Sequence, residues 1–169
     1  MNQYKFSPIQ NEGQLIDAIA YIHHTCHMLC KKSFGTYLPV AGNVGIFCHF
    51  DDEYTQLTTL QKKLTDSSDL IYGKYYQLYK PIAIPIQDNV PAACYSYLYI
   101  RKPDIIKYQV GDIDFYLEPI KYSKLKQSLI NGETMKGTRL IPNRPDLDLI
   151  ELYDLKVDAF AYIGNKKWQ

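Results

Sequence analysis

The sequence predicts an α+β domain: an antiparallel sheet of about five to six strands with three helices, mainly on one face. Two observations predict it. Apolar residues recur at helical steps in three separate windows, and elsewhere the period falls to two. Strand-like runs also follow one another across short turns, which implies antiparallel pairing.

The first helix is expected over about residues 12 to 32. Asn11 stands three residues before Gln14, the spacing of a capping box. Leu15, Ile19, Ile22, Cys26 and Leu29 then form one apolar stripe, Lys31 and Lys32 occupy the last turn, and Gly35 supplies a left-handed stop. A short apolar strand is expected over 42 to 50. Asp51 or Asp52 caps a second helix whose stripe is Tyr54, Leu57, Leu60 and Leu64. Residues 65 to 68 read as a polar loop.

From Lys74 the pattern is strand-like. Tyr75 to Tyr79 forms one run, and Pro81 to Pro85 extends it at an edge because proline cannot donate to a ladder. Cys94 to Arg101 alternates: Ser96, Leu98 and Ile100 take one face, and Tyr95, Tyr97 and Tyr99 the other. Tyr108 to Leu117 alternates again, with Ile113, Phe115 and Leu117 opposite Asp112, Asp114 and Tyr116. Pro119 opens a third helix with the stripe Tyr122, Leu125 and Leu129, ended at Asn131-Gly132. Residues 133 to 146 read as irregular. Two closing strands, 147 to 153 and 157 to 163, are expected to form a hairpin.

No linker, repeat or low-complexity tract interrupts the 169 residues, so the chain is expected to be a single domain, 1–169. Nineteen basic residues against eighteen acidic ones give a net charge of +1. That balance disfavours a protein that grips duplex nucleic acid through its phosphates. No run is apolar enough to span a membrane, and the first residues lack the core of a signal peptide. Cys26, Cys30, Cys48 and Cys94 follow no disulfide spacing, so the expectation is a reducing cytoplasm, no required cofactor and no membrane.

Three groups of residues are candidates for function. Tyrosine is the compositional outlier, with sixteen against six Phe and one Trp. If the strand carrying Asp112 and Asp114 pairs with the strand before it, Tyr95, Tyr97, Tyr99 and Tyr116 share one face. Arg101, Asp112 and Asp114 would set a ligand's orientation there. Phenol rings among a few charges suit contact with a protein or other macromolecule. Packing of ring on ring across strands is the competing explanation.

The second group is His23, Cys26, His27 and Cys30, spaced at i, i+3, i+4 and i+7 on the first helix, with Cys48 and His49 on the adjacent strand. Imidazole and thiolate are zinc's preferred ligands, so His23, His27, Cys30 and His49 form a candidate metal set. Cys30 with His49 is also a candidate nucleophile and base. The competing explanation is a stripe in which the cysteines act as small hydrophobes and the histidines sit at its border.

The third group is Asp112 and Asp114, which flank Ile113 about 7 Å apart on one strand face, a spacing able to hold a divalent cation. With Asp146 and Asp148 following a helix later, the stretch resembles the Asp-x-Asp segment of the nucleotidyltransferase superfamily. The resemblance implies a metal-dependent phosphoryl transfer. It departs from that family where a Gly-Ser pair should precede the aspartates, since the chain reads Tyr99-Ile100-Arg101-Lys102-Pro103 there. The leading expectation is therefore a binding domain that uses its tyrosine-rich face. The alternative is a metal-dependent hydrolase or phosphoryl-transfer enzyme built on the histidine and cysteine cluster or on the aspartate pair.

Overall fold

A computed structural model describes residues 4–71, 74–104, 106–142 and 147–168. Helix α1 spans Glu12–Phe34, with Asn11 Oδ1 accepting the Gln14 N–H at 2.9 Å. It ends at Gly35, whose φ of 71° lets its N–H return to the Lys31 carbonyl. Strand β1 spans Val40–Phe47 and helix α2 Asp51–Leu64. Strands β2 (Thr65–Ile71), β3 (Tyr75–Ile84), β4 (Ala93–Arg101) and β5 (Gly111–Tyr116) follow. Helix α3 spans Pro119–Ile130, and the Glu118 side chain accepts the N–H groups of Ile120 and Lys121. Strands β6 (Thr138–Leu140), β7 (Ile150–Leu152) and β8 (Phe160–Gly164) close the chain.

The class is α+β, but the sheet differs from the expectation in two respects. It has eight strands, in the order β2-β3-β4-β1-β5-β8-β7-β6, and it is mixed. β1 runs parallel to β4 and β5 parallel to β8, while the other neighbours are antiparallel. The reason lies in β1. It inserts between β4 and β5, so two strands consecutive in sequence are not neighbours in space. Apart from Val40, β1 is buried along its whole length, as a central strand covered on both faces must be. The two additional strands, β2 and β6, lie at the sheet's two edges. They occupy stretches that read as polar loop and as irregular chain, because an edge strand needs a partner on one side only and carries little apolar patterning.

Helix α1 lies across the sheet and touches β1, β3, β5, β7 and β8; α2 packs on β2, β3 and β4. The core between them joins Leu15, Ile19, Ile22 and Cys26 of α1 and Leu57 of α2 to Val44, Ile46, Leu98, Ile113 and Phe115 of the sheet. At roughly 25 cal/mol per Å² of apolar surface, each such fully buried aliphatic side chain contributes about 1.5–3 kcal/mol. Among the described residues no helix is long and apolar enough to cross a membrane.

Alternation along β1 and β5 fixes what the opposite face carries. Val44 and Ile46, with Ile113 and Phe115, point to α1, and His27 meets the Phe115 ring edge-on at 4.9 Å. Asn43, Gly45, Phe47, Asp112 and Asp114 therefore belong to the far face.

Candidate functional site

The far face holds a recess of about 490 Å³ over β1, β4, β5 and β8. Its walls are the rings of Phe47, Tyr75, Tyr99, Tyr162 and Trp168, and Asp112 and Asp114 line it as well. The loop from Leu147 to Leu149 closes one side. α3 holds that loop: Tyr122 donates to Asp148 Oδ1 at 3.0 Å, and the Lys126 ammonium donates to the same oxygen and to the Leu147 carbonyl.

The opposite wall depends on the chain's end. The Trp168 N–H donates to the Ala41 carbonyl at 2.7 Å, which sets the indole 4.6 Å from the Tyr75 ring and 5.8 Å from that of Tyr97. Gly42 permits this crossing. Its φ is 117°, and a Cβ there would lie 2.5 Å from the Trp168 carbonyl oxygen.

Both aspartates are deeply buried, 8% exposed at Asp112 and 6% at Asp114. Among the described residues no lysine, arginine or histidine comes within ion-pair distance of either. Loss of solvent pushes the Asp112 carboxyl up to about 7, against a smaller opposing pull from Arg101. Burial, and then the neighbouring Asp112 charge, push Asp114 up to about 8. The same burial raises the phenols of Tyr75, Tyr99 and Tyr162. The Asn43 carboxamide is fully buried beside Asp114 and Tyr75 and acts on both, yet neither of its polar atoms reaches hydrogen-bond geometry with any described group. Asp112 Oδ1 is likewise without a partner.

The tyrosines expected to share an open face are divided. Tyr95 is 0% exposed and lies under α1, where its hydroxyl shares a 2.8 Å hydrogen bond with His23 Nδ1. The alternation breaks where the β3–β4 register shifts between Gln77↔Tyr97 and Ile82↔Tyr95. Tyr97 is on the recess side but only 5% exposed, packed near Trp168. Tyr99 is half-buried, 5.3 Å from the Tyr75 ring, and lines the recess. Tyr116 stands apart from the recess lining, its ring under the Lys167 ammonium at 4.6 Å. Arg101 reaches the recess with its guanidinium over Phe47 at 4.7 Å and bonded to Asp104 at 3.2 Å.

The histidine and cysteine group is largely buried, and its side chains bond within the fold. The His23 Nε2–H donates to the Pro91 carbonyl at 3.0 Å, which leaves Nδ1 to accept from Tyr95. Burial, with the adjacent His27, lowers His23 to about 4 and keeps the ring neutral. His27 Nδ1–H donates to the His23 carbonyl at 2.8 Å. Cys30 Sγ accepts from the Leu38 N–H, and burial raises its thiol to about 11. His49 Nδ1 bonds the Ser7 hydroxyl at 2.6 Å, and the Cys30 thiol is bonded instead to the backbone of Thr36 and Leu38. Among the described residues no three His, Cys, Asp or Glu side chains are arranged to hold a metal ion. The third carboxylate implied by the nucleotidyltransferase resemblance fares no better: Asp146 lies outside the described residues, and Asp148 is committed to Tyr122 and Lys126.

Asn43, Tyr75, Tyr162 and Trp168 join the site without a sequence motif to announce them. The one usable signal was Gly45, since a lone glycine inside a strand marks a close approach by another group.

No family model matches the chain, and no curated protein matches it. A solved structure described as "Structural Genomics, Protein EC4020" is similar over 100% of this chain and 92% of that one. The two share 14% identity at a TM-score of 0.52, a likeness of fold alone.

Proposed function

We propose that this chain is a binding protein that captures a macromolecular partner, most simply another protein, at the aromatic recess on the far face of its sheet. The observation that carries this reading is a cavity of about 490 Å³ walled by Tyr75, Tyr99, Tyr162 and Trp168, with buried polar atoms beneath it that have no hydrogen-bond partner among the described residues. Rings of this kind supply contact area at low conformational cost, and unanswered polar atoms define what the ligand must bring. In this reading Tyr99, Arg101, Asp112 and Asp114, which line the recess, make the contacts with the partner. Tyr95 is buried on the helix-covered face, Tyr97 packs near Trp168, and Tyr116 stands apart from the recess lining.

A catalytic reading is second. Its support is the carboxyl pair held at about 7 and about 8, a range suited to proton transfer near neutral pH. Against it, the thiols of Cys26, Cys30 and Cys48 are all raised by burial and make poor nucleophiles. The four free cysteines accord with a reducing cytoplasm, where we place the protein.

The test is partner capture by immobilised protein, comparing wild type with Tyr99→Ala and Tyr162→Ala. The reading expects capture to fail in both variants while melting temperatures stay within a few degrees. Capture that survives both substitutions would remove the recess from the interface.

A further inference from the structure

Lys74 and Arg101 line the recess, but among the described residues neither forms an ion pair with its two carboxyls. Two carboxyls on one strand face are buried at its floor without an ion pair, and a buried charge is stable only when paired or hydrogen-bonded. The nearest candidate, Arg101, is already engaged by Asp104 and the Phe47 ring. Among the described residues, Asp112 Oδ1 and both polar atoms of Asn43 are buried without a hydrogen-bond partner. Around them stand Tyr75, Tyr99, Tyr162 and Trp168, whose ring faces attract cations.

We propose that the recess receives the guanidinium or ammonium group of a basic side chain on a polypeptide partner, with Asp112 and Asp114 as its counter-ions and the aromatic rings as its walls. The proposal rests on the recess being the binding site and adds the chemistry of what enters it. A small hard cation fits worse, because it needs six or more oxygen ligands and the walls are aromatic. A polypeptide fits better than a free amine. The recess shares Lys74, Tyr99 and Arg101 with a shallower depression of about 710 Å³ that runs on to Lys102, Pro103 and Asp104. Residues flanking the inserted side chain would lie there, with their carbonyl oxygens toward Lys74 and Lys102.

The groups facing the carboxyl pair are Tyr75 and Lys74 at the start of β3, Tyr99 and Arg101 from β4, Tyr162 from β8, and Asp148 from the loop before β7. The three phenols are all raised by burial and Asp148 is lowered by its bonds to Lys126 and Tyr122, so Asp112 and Asp114 are the groups that change charge between pH 6 and 9. A cationic ligand binds the charged pair best, so its affinity rises with pH across that range.

The experiment titrates the full chain with three probes: N-acetyl-arginine methylamide, its neutral counterpart N-acetyl-citrulline methylamide, and a pentapeptide with one central arginine. Amide NMR shifts and the emission of Trp168, the only tryptophan, report binding. The expected result at pH 8.5 is saturable shifts around Asp112, Asp114 and Tyr162, with arginine about tenfold tighter than citrulline and the pentapeptide tighter still. That preference should shrink toward pH 6 and vanish in the Asp112→Asn, Asp114→Asn double variant, whose spectrum confirms its fold. Equal binding of arginine and citrulline would overturn the cation while leaving the recess as a binding site. Arginine methylamide binding as tightly as the pentapeptide would overturn the polypeptide source. No probe shifting the recess, together with partner capture by the double variant at wild-type level, would overturn the proposal; loss of capture in Tyr99→Ala would then still uphold the recess itself.

Discussion

The Asp112 carboxyl lies so close over Gly45 that a Cβ on Gly45 would fall 2.1 Å from Oδ1. β1 and β5 are paired at these two residues, so the carboxyl crosses onto the central strand and sits at the middle of the recess floor. Gly45→Ala should push it aside. The expected cost is about 1–3 kcal/mol by urea unfolding, with NMR shifts centred on Asp112. A variant of wild-type stability, unshifted at Asp112, would contradict this placement.

The two aspartates also tie stability to pH. They hold protons to about 7 and about 8 in the folded chain but release them near 4 when unfolded. Between those limits the folded state binds more protons, so the free energy of unfolding falls as pH rises. The stabilisation is complete below about pH 4 and lost above about pH 8. His23 and His27, both lowered, act with the opposite sign: their contribution is present above about 6.5 and lost as pH falls through their folded values. Comparing wild type with the Asp112→Asn, Asp114→Asn variant cancels the histidines. From pH 5.5 to 8.5 the wild type should lose on the order of 5 kcal/mol relative to the variant. Parallel curves would show that the carboxyls titrate normally.

The Gly42 crossing gives an optical test. Gly42→Ala forces a side chain into the Trp168 carbonyl and an unfavourable φ on alanine. Trp168 emission should shift to the red as the indole leaves Tyr75 and Tyr97, with stability lowered by about 1–2 kcal/mol. Unchanged emission would mean that the tail is not held at Ala41.

Tyr95 and Tyr99 should separate packing from binding. Tyr95→Phe removes the donor to His23 Nδ1 and leaves a buried acceptor unanswered, costing about 1–3 kcal/mol by thermal or urea unfolding. Tyr99→Ala removes a half-buried wall and should act on binding first. Zinc should leave the melting temperature unchanged, because the ring nitrogens of His23 are already bonded. A clear rise with zinc would restore the metal site.

Much of the fold is legible in the chain because its signals are local. Asn11 and Gln14, Gly35, Pro119 and Asn131-Gly132 mark helix ends through bonds to their own neighbours, and the structure uses each of them. Strand order is not local. Nothing in Val40–Phe47 says that it will separate β4 from β5, and the open hairpin face expected for Tyr95, Tyr97 and Tyr99 depended on those strands pairing. The aspartates were visible as a same-face pair, since strand alternation alone sets that. Their burial was not, because the rings of Tyr75, Tyr162 and Trp168 that wall the recess with them come from segments distant in the chain. The histidine stripe shows the reverse limit: spacing put the rings on one helix face, but Pro91 and Tyr95, from a distant segment, decided that they would be neutral and bonded.

The most direct measurement is a carboxyl ¹³C NMR titration of Asp112 and Asp114 with and without the arginine probe. The free protein should titrate both groups near pH 7 to 8, and saturation with the probe should carry them toward ordinary carboxylate values with release of protons. Midpoints near 4 in the free protein, unmoved by the probe, would mean that the pair is already satisfied and the recess awaits no cation.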